Sequence, residues 1–122
     1  MSASGPLDLE VLAQLRALAG NRGASLADDA IDAFLQELPA RLRVLRAALG
    51  QADWRSAEHS AQALRGIAAT LGAREVVRLS AELADALGRG ASSGEVSGLL
   101  GKLESAGVQA MAALETQRTP GP

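Results

Sequence analysis

The chain contains no cysteine and no tyrosine, a single histidine (His59), and two aromatic residues in all, Phe34 and Trp54. Without cysteine there are no disulfides and no thiolate metal sites. One histidine and no Glu-x-x-His pair leave a di-metal helical bundle without ligands, so no metal and no cofactor are expected. No run of 18 apolar residues is present, so no transmembrane helix is expected. The leading Met-Ser-Ala-Ser-Gly-Pro has neither a charged n-region nor an apolar h-region, so it does not read as a secretory signal. A cytoplasmic protein is the expectation. The formal net charge is −2 and no basic stripe with interleaved aromatics occurs, so nucleic acid is not an expected partner. A Ser/His/Asp hydrolase and a membrane-lying helix are not expected either.

What is present is aliphatic. Hydrophobic residues make up 48% of the chain and aromatics 2%, so any core is built from Leu, Ala, Val and Ile. Ala and Leu favour helix, whereas strands draw on β-branched and aromatic residues. At 122 residues the chain is long enough for one domain. The expected fold is all-α, an up-down antiparallel bundle of four helices with a short additional helix, over residues 8–115. Residues 1–7 and 116–122 are expected to be flexible ends.

Five segments carry helical periodicity. The first spans about 8–18, opened by Asp8 as a candidate cap, with Leu9, Leu12, Leu15 and Ala19 as its stripe and Gly20-Asn21-Arg22-Gly23 as its stop. The second spans about 26–49. Ser25 with Asp28 resembles a capping box, and Ile31, Phe34, Leu35, Leu38, Leu42, Leu45 and Leu49 form its apolar face. Pro39 lies within that phase, so a kink is expected and not a break; Gly50 is the expected stop. The third spans about 53–71, with Trp54, Ala57, Ala61, Leu64, Ala68 and Leu71 as its seam and Gly72 as a C′ residue. The fourth spans about 73–87, with Val76, Leu79, Leu83 and Leu87 apolar, and ends in Gly88-Arg89-Gly90. The fifth spans about 93–115, opened by a Ser92/Glu95 capping box. Val96, Leu99, Leu103, Met111 and Leu114 form its buried face, with Gly101 and Gly107 weakening it.

The third segment has a second face. With His59 set at zero and about 100° per residue, the seam residues centre near 170°, while Arg55, His59, Gln62, Gly66, Ala69 and Thr70 fall between about −80° and +20°. His59 and Gln62 are thus expected opposite the core, with Gly66 between them in azimuth. A glycine on the solvent face of a helix is less stable than alanine, and close approach of another protein is one reason to keep it. Ala63 and Ala69 keep the neighbourhood low.

The string Gln62-Ala-Leu-Arg-Gly-Ile-Ala-Ala-Thr-Leu-Gly72 resembles the central helix of a histidine phosphotransfer (HPt) domain, whose pattern is His-x-Leu-Lys-Gly followed by a small-residue stretch and a helix-closing Gly. Leu64, Arg65 and Gly66 match Leu-Lys-Gly, Asp53-Trp54 matches the family's Asp-aromatic helix start, and Leu71-Gly72-Ala73 matches its helix end. The departure is at the acceptor, where this chain has Gln62. The resemblance covers about residues 25–90 and implies a four-helix phosphorelay module. In such modules an exposed imidazole takes a phosphoryl group from a receiver-domain aspartate, with the receiver supplying Mg²⁺.

The Gln62 amide nitrogen is delocalised and cannot act as that nucleophile. The resemblance therefore implies a module that docks receiver domains of response regulators or hybrid kinases through His59, Gln62, Arg65, Gly66 and Ala69, regulating by occupancy and not by transfer. Two alternatives stand beside it. One is an active phosphotransfer protein, using His59 or, were Gln62 an introduced replacement, a histidine at 62. The other is a bundle serving only as a scaffold or oligomerisation unit.

Overall fold

Each periodic segment becomes one helix. The computed structural model describes residues 6–18 and 23–118, with α1 at Leu9–Leu18, α2 at Gly23–Gly50, α3 at Trp54–Thr70, α4 at Arg74–Gly88 and α5 at Ser93–Gln117. Among the described residues there is no strand. Helix α2 packs on α3, α3 on α4, α4 on α5, and α5 closes back on α2, while α1 lies against α2. The connections 51–53, 71–73 and 89–92 are short, which sets successive helices antiparallel. The result is the expected four-helix bundle with one short additional helix.

The core is the aliphatic one that the composition demands. Phe34, Leu38 and Leu45 of α2, Leu64 of α3, Leu83 of α4 and Leu103 of α5 are all buried. Emptying one such site, as in Leu64→Ala, costs about 2–5 kcal/mol. The most extensive interface is between α3 and α4, where Ala57, Ser60 and Ala61 on one side and Ser80 and Ala84 on the other are small and buried. The Ser80 hydroxyl is fully buried and makes no hydrogen bond.

The helix ends are closed by local hydrogen bonds. The Asp53 carboxylate accepts from the Ser56 amide at 3.2 Å, and the Ser92 hydroxyl accepts from the Glu95 amide at 3.2 Å; the Glu95 carboxylate is engaged by Arg89, so only the serine half of the expected capping box forms. At the end of α3 the Ala73 amide reaches the Ala68 carbonyl and the Gly72 amide reaches the Ala69 carbonyl. This is a Schellman closure, and Gly72 takes φ +71° as its C′ residue. The same pattern closes α2 one residue pair further along than Gly50. The helix runs through Gly50, the Asp53 amide reaches the Ala48 carbonyl, and the left-handed residue is Ala52, at φ 56°.

Several expectations are corrected. Trp54, assigned to the seam of α3, is 50% exposed. Its azimuth is right, but it is the first residue of the helix and stands at the end of the bundle. There it lines an open apolar depression of about 340 Å³ with Leu49, Leu87, Val96 and Leu100. Leu9 is also exposed, because α1 is short and buries mainly Leu12 against α2. Leu7, placed among the flexible leading residues, is buried, and its carbonyl accepts from Arg74 at 3.0 Å. At the other end α5 continues to Gln117, and Arg118 forks onto the Asp32 carboxylate at 2.7 and 2.9 Å. Helix α2 passes through Pro39 without a break, as expected, but begins at Gly23, ahead of Ser25. The stop at 20–22, the packing of Ala19 and the side chain of Ser25 lie outside the described residues, as do residues 1–5 and 119–122.

One further contact holds α3 in place. The Asp8 amide donates to the Gly72 carbonyl at 2.7 Å. A Cβ on Gly72 would lie 2.9 Å from the Asp8 carbonyl oxygen. The leading edge of α1 thus sits on the α3–α4 turn and closes one end of the bundle.

Candidate functional site

Helix α3 has the apolar spacing that buries Ala57, Ala61, Leu64 and Ala68, which forces the residues between them outward. His59, Gln62, Arg65, Gly66 and Ala69 are all exposed. The five residues singled out from the sequence therefore share one open surface of one helix. Ser60, the neighbour of His59, already faces inward and is buried.

The centre of this surface is low. Apart from its chain neighbours and the helix's own backbone, no atom of the described residues lies within 4 Å of where a Gly66 Cβ would stand, and the Thr70 hydroxyl is turned back onto the Gly66 carbonyl at 3.1 Å. Around it the basic groups are uncommitted. Arg55 and Arg65 form no ion pair or side-chain hydrogen bond among the described residues, whereas Arg46, Arg78, Arg89 and Arg118 are each held by a carboxylate. Gln62 and His59 are likewise without a side-chain partner among the described residues.

Beside Gln62 and Arg65 runs an open depression of about 430 Å³ between α3 and α4, bordered further by Glu58, Asp85, Gly88 and Arg89. Arg89 is fixed by Asp85 at 3.2 Å and by Glu95. Hydrogen bonds to Glu95 and Asp85, reinforced by their charge, raise its pKa above the ordinary arginine value. The Glu58 carboxylate lies against α4, with one oxygen 3.5 Å from where a Gly88 Cβ would stand. Asp85, Gly88 and Arg89 were not singled out from the sequence. A signal for them existed: Ala81, Ala84, Asp85 and Gly88 recur at spacings of three and four, a small-residue edge that an antiparallel neighbour brings alongside α3.

The segment Gly90-Ala91-Ser92-Ser93-Gly94 has the letters of a nucleophile elbow, but it joins two helices where the elbow joins strand to helix, and Ser92 is occupied as the cap of α5. Among the described residues no group of three or more His, Asp or Glu side chains gathers as metal ligands, and no helix is long and apolar enough to cross a membrane.

The model of the Hpt domain family matches residues 29–117. The chain belongs to this family. It is a histidine phosphotransfer domain of the kind used in two-component phosphorelays. Among solved structures, the Hpt fold seen here is similar to the crystal structure of histidine-containing phosphotransfer protein B (HptB) from Pseudomonas aeruginosa PAO1. The match has a TM-score of 0.83 and 24% sequence identity, over 95% of this chain and 96% of that one. At that identity the likeness speaks to the fold. A search of curated proteins finds no match. Within the Hpt fold, α3 is the helix whose exposed face bears Gln62, Arg65 and Gly66.

Proposed function

We propose that this Hpt domain is a cytoplasmic phosphorelay module that docks the receiver domain of a response regulator or hybrid kinase and does not itself carry phosphate. It regulates signalling by occupying the receiver. The observation that supports this reading is the exposed α3 surface, on which Gln62, the residue that the sequence resemblance aligns with the acceptor, is followed one turn on by the open space at Gly66. An amide at that position hydrogen-bonds but does not attack phosphorus. Gly66 lets a partner approach the helix backbone closely, and Arg65 supplies positive charge where the partner's acidic site would lie.

His59 supports a second reading, because it is exposed and its imidazole is uncommitted. It stands about 60° around and ~4.5 Å along the helix from Gln62. Displacements well below that size already cost about 100-fold in a positioned reaction.

The test is phosphotransfer from radiolabelled receivers to the chain and to Gln62→His. Label on Gln62→His alone is the expected result, and shows that the surface docks a receiver and lacks only the nucleophile. Label on the unaltered chain that disappears in His59→Ala replaces the proposal with the second reading. Failure of both chains to take label or to bind any receiver removes the docking reading, and concentration-dependent sedimentation would then test the scaffold alternative.

A further inference from the structure

At the end of the bundle where α3 and α5 begin, the surface sinks into the apolar depression lined by Trp54, Leu49, Leu87, Val96 and Leu100. Val96 and Leu100 are buried at its base, while Trp54 stands half exposed at its edge. None of the described residues that line it is charged, which sets it apart from the depression beside Gln62 and Arg65, where Glu58, Asp85 and Arg89 stand. The start of α3 does not need the indole, because Asp53 supplies the cap. An open apolar patch is the informative kind of surface in a soluble domain, and Trp is among the residues most enriched where one protein anchors in another.

The two depressions adjoin. Trp54 and Glu58 are one turn apart on the same side of α3. The last turn of α4 serves both, with Gly88 and Arg89 bordering one and Leu87 and Gly90 the other. Trp54 precedes Gln62 by about 12 Å along the helix. A stable protein–protein interface covers about 800 Å² on each partner, a patch on the order of 30 Å across. The exposed strip of α3 falls well short of that, so a receiver centred on Gln62 must also cover neighbouring surface. Toward α4 and the start of α3 that surface leads into the apolar depression, whose volume of about 340 Å³ admits a large side chain. We infer that the Trp54 depression is a second anchor point for the docked receiver and takes one of its large apolar side chains. The inference rests on the docking proposed above and extends it from α3 to the adjoining ends of α2, α4 and α5.

The chain holds one tryptophan and no tyrosine, so its fluorescence is that of Trp54. The experiment titrates the full chain with purified receiver domains of the source organism's two-component proteins. Affinity is read by calorimetry and Trp54 by its emission, with Trp54→Phe as the control for tryptophans of the receiver. The expected result is a receiver that moves Trp54 emission to shorter wavelength and shields it from acrylamide, with affinity about tenfold or more weaker for Trp54→Ala. Ser97→Arg puts a charge at the rim of the depression from an exposed position of α5. It should weaken binding to a similar degree with an unchanged thermal melt, and it decides the outcome if Trp54→Ala disturbs the fold. A receiver that binds both variants with full affinity and leaves Trp54 emission unchanged overturns the inference and leaves docking at α3 intact. An emission shift that grows with the concentration of the chain alone gives the depression to a second copy and overturns the inference as well. No binding by any receiver removes the docking reading itself, and the second anchor with it.

Discussion

Gly66 and Gly107 are both interior to a helix, and they are there for different reasons. Gly107 of α5 is buried, and a Cβ on it would come within 3.3 Å of Leu42 and 3.4 Å of Leu38 on α2. Its reason lies inside the molecule, because a methyl there would press on Leu38 and Leu42, which would have to give by a few tenths of an ångström. Gly66 of α3 is exposed, and nothing stands within 4 Å. Alanine there would stabilise the helix by about 0.5–1 kcal/mol, and no feature of the bundle forbids it. Gly98 and Gly101 of α5 are also exposed with nothing within 4 Å, so a bare glycine alone does not mark a docking face; what sets Gly66 apart is its place one turn after Gln62. The comparison thus separates the packed side of the bundle, where sequence answers to the core, from the α3 surface, where it does not.

The largest effect is expected at a glycine whose internal reason is stronger still. Gly72→Ala must hold a Cβ at φ +71° and drive it into the Asp8 carbonyl. A loss of roughly 2–4 kcal/mol is expected by chemical denaturation; a loss under half of that would mean the α1 segment yields easily. At Gly66 the burden should fall on binding alone. Gly66→Arg is expected to weaken receiver binding by about 100-fold or more with helicity intact and the melting temperature unchanged or raised. Unaltered binding would remove the external reason and with it the docking model.

Smaller effects sharpen the same contrast. Gly66→Ala is expected to raise stability by about 0.5–1 kcal/mol, while Gly107→Ala gains nothing or loses up to ~1 kcal/mol as Leu38 and Leu42 give way. Equal gains at both sites would dissolve the distinction. Ala52→Gly is the mirror case, a left-handed position held by a residue with a Cβ, and should add about 1 kcal/mol. Ser80→Ala removes a buried hydroxyl that has no partner and should be neutral or stabilising by up to ~1 kcal/mol. A clear loss on denaturation would mean the hydroxyl has a role that packing alone does not show.

Periodicity and punctuation were enough for the number of helices, their order, the Schellman end at Gly72 and the serine cap at Ser92, because these depend on neighbours within a few residues. The exposed face of α3 was legible for the same reason, since helical geometry alone orients His59, Gln62, Gly66 and Ala69 away from a seam of Ala and Leu; Arg65, at about −120° on the same wheel and close to that seam, needed the packed structure to show it exposed. Position along the bundle was not legible. Trp54 has the azimuth of a core residue and the exposure of an end residue, and Leu7 lies outside any periodic segment yet is buried, because α1 folds back over the α3–α4 turn. The other wall of the α3 depression, from Asp85 to Arg89, likewise belongs to a different helix. Local spacing determined which way each side chain faces, and hence the fold class and the open face with glutamine at its centre. Only the packing of one helix against another decided which of those faces is covered, which arginines are taken up by carboxylates, and that Arg65 has no partner among the described residues, since burial and ion pairing depend on residues distant in the chain.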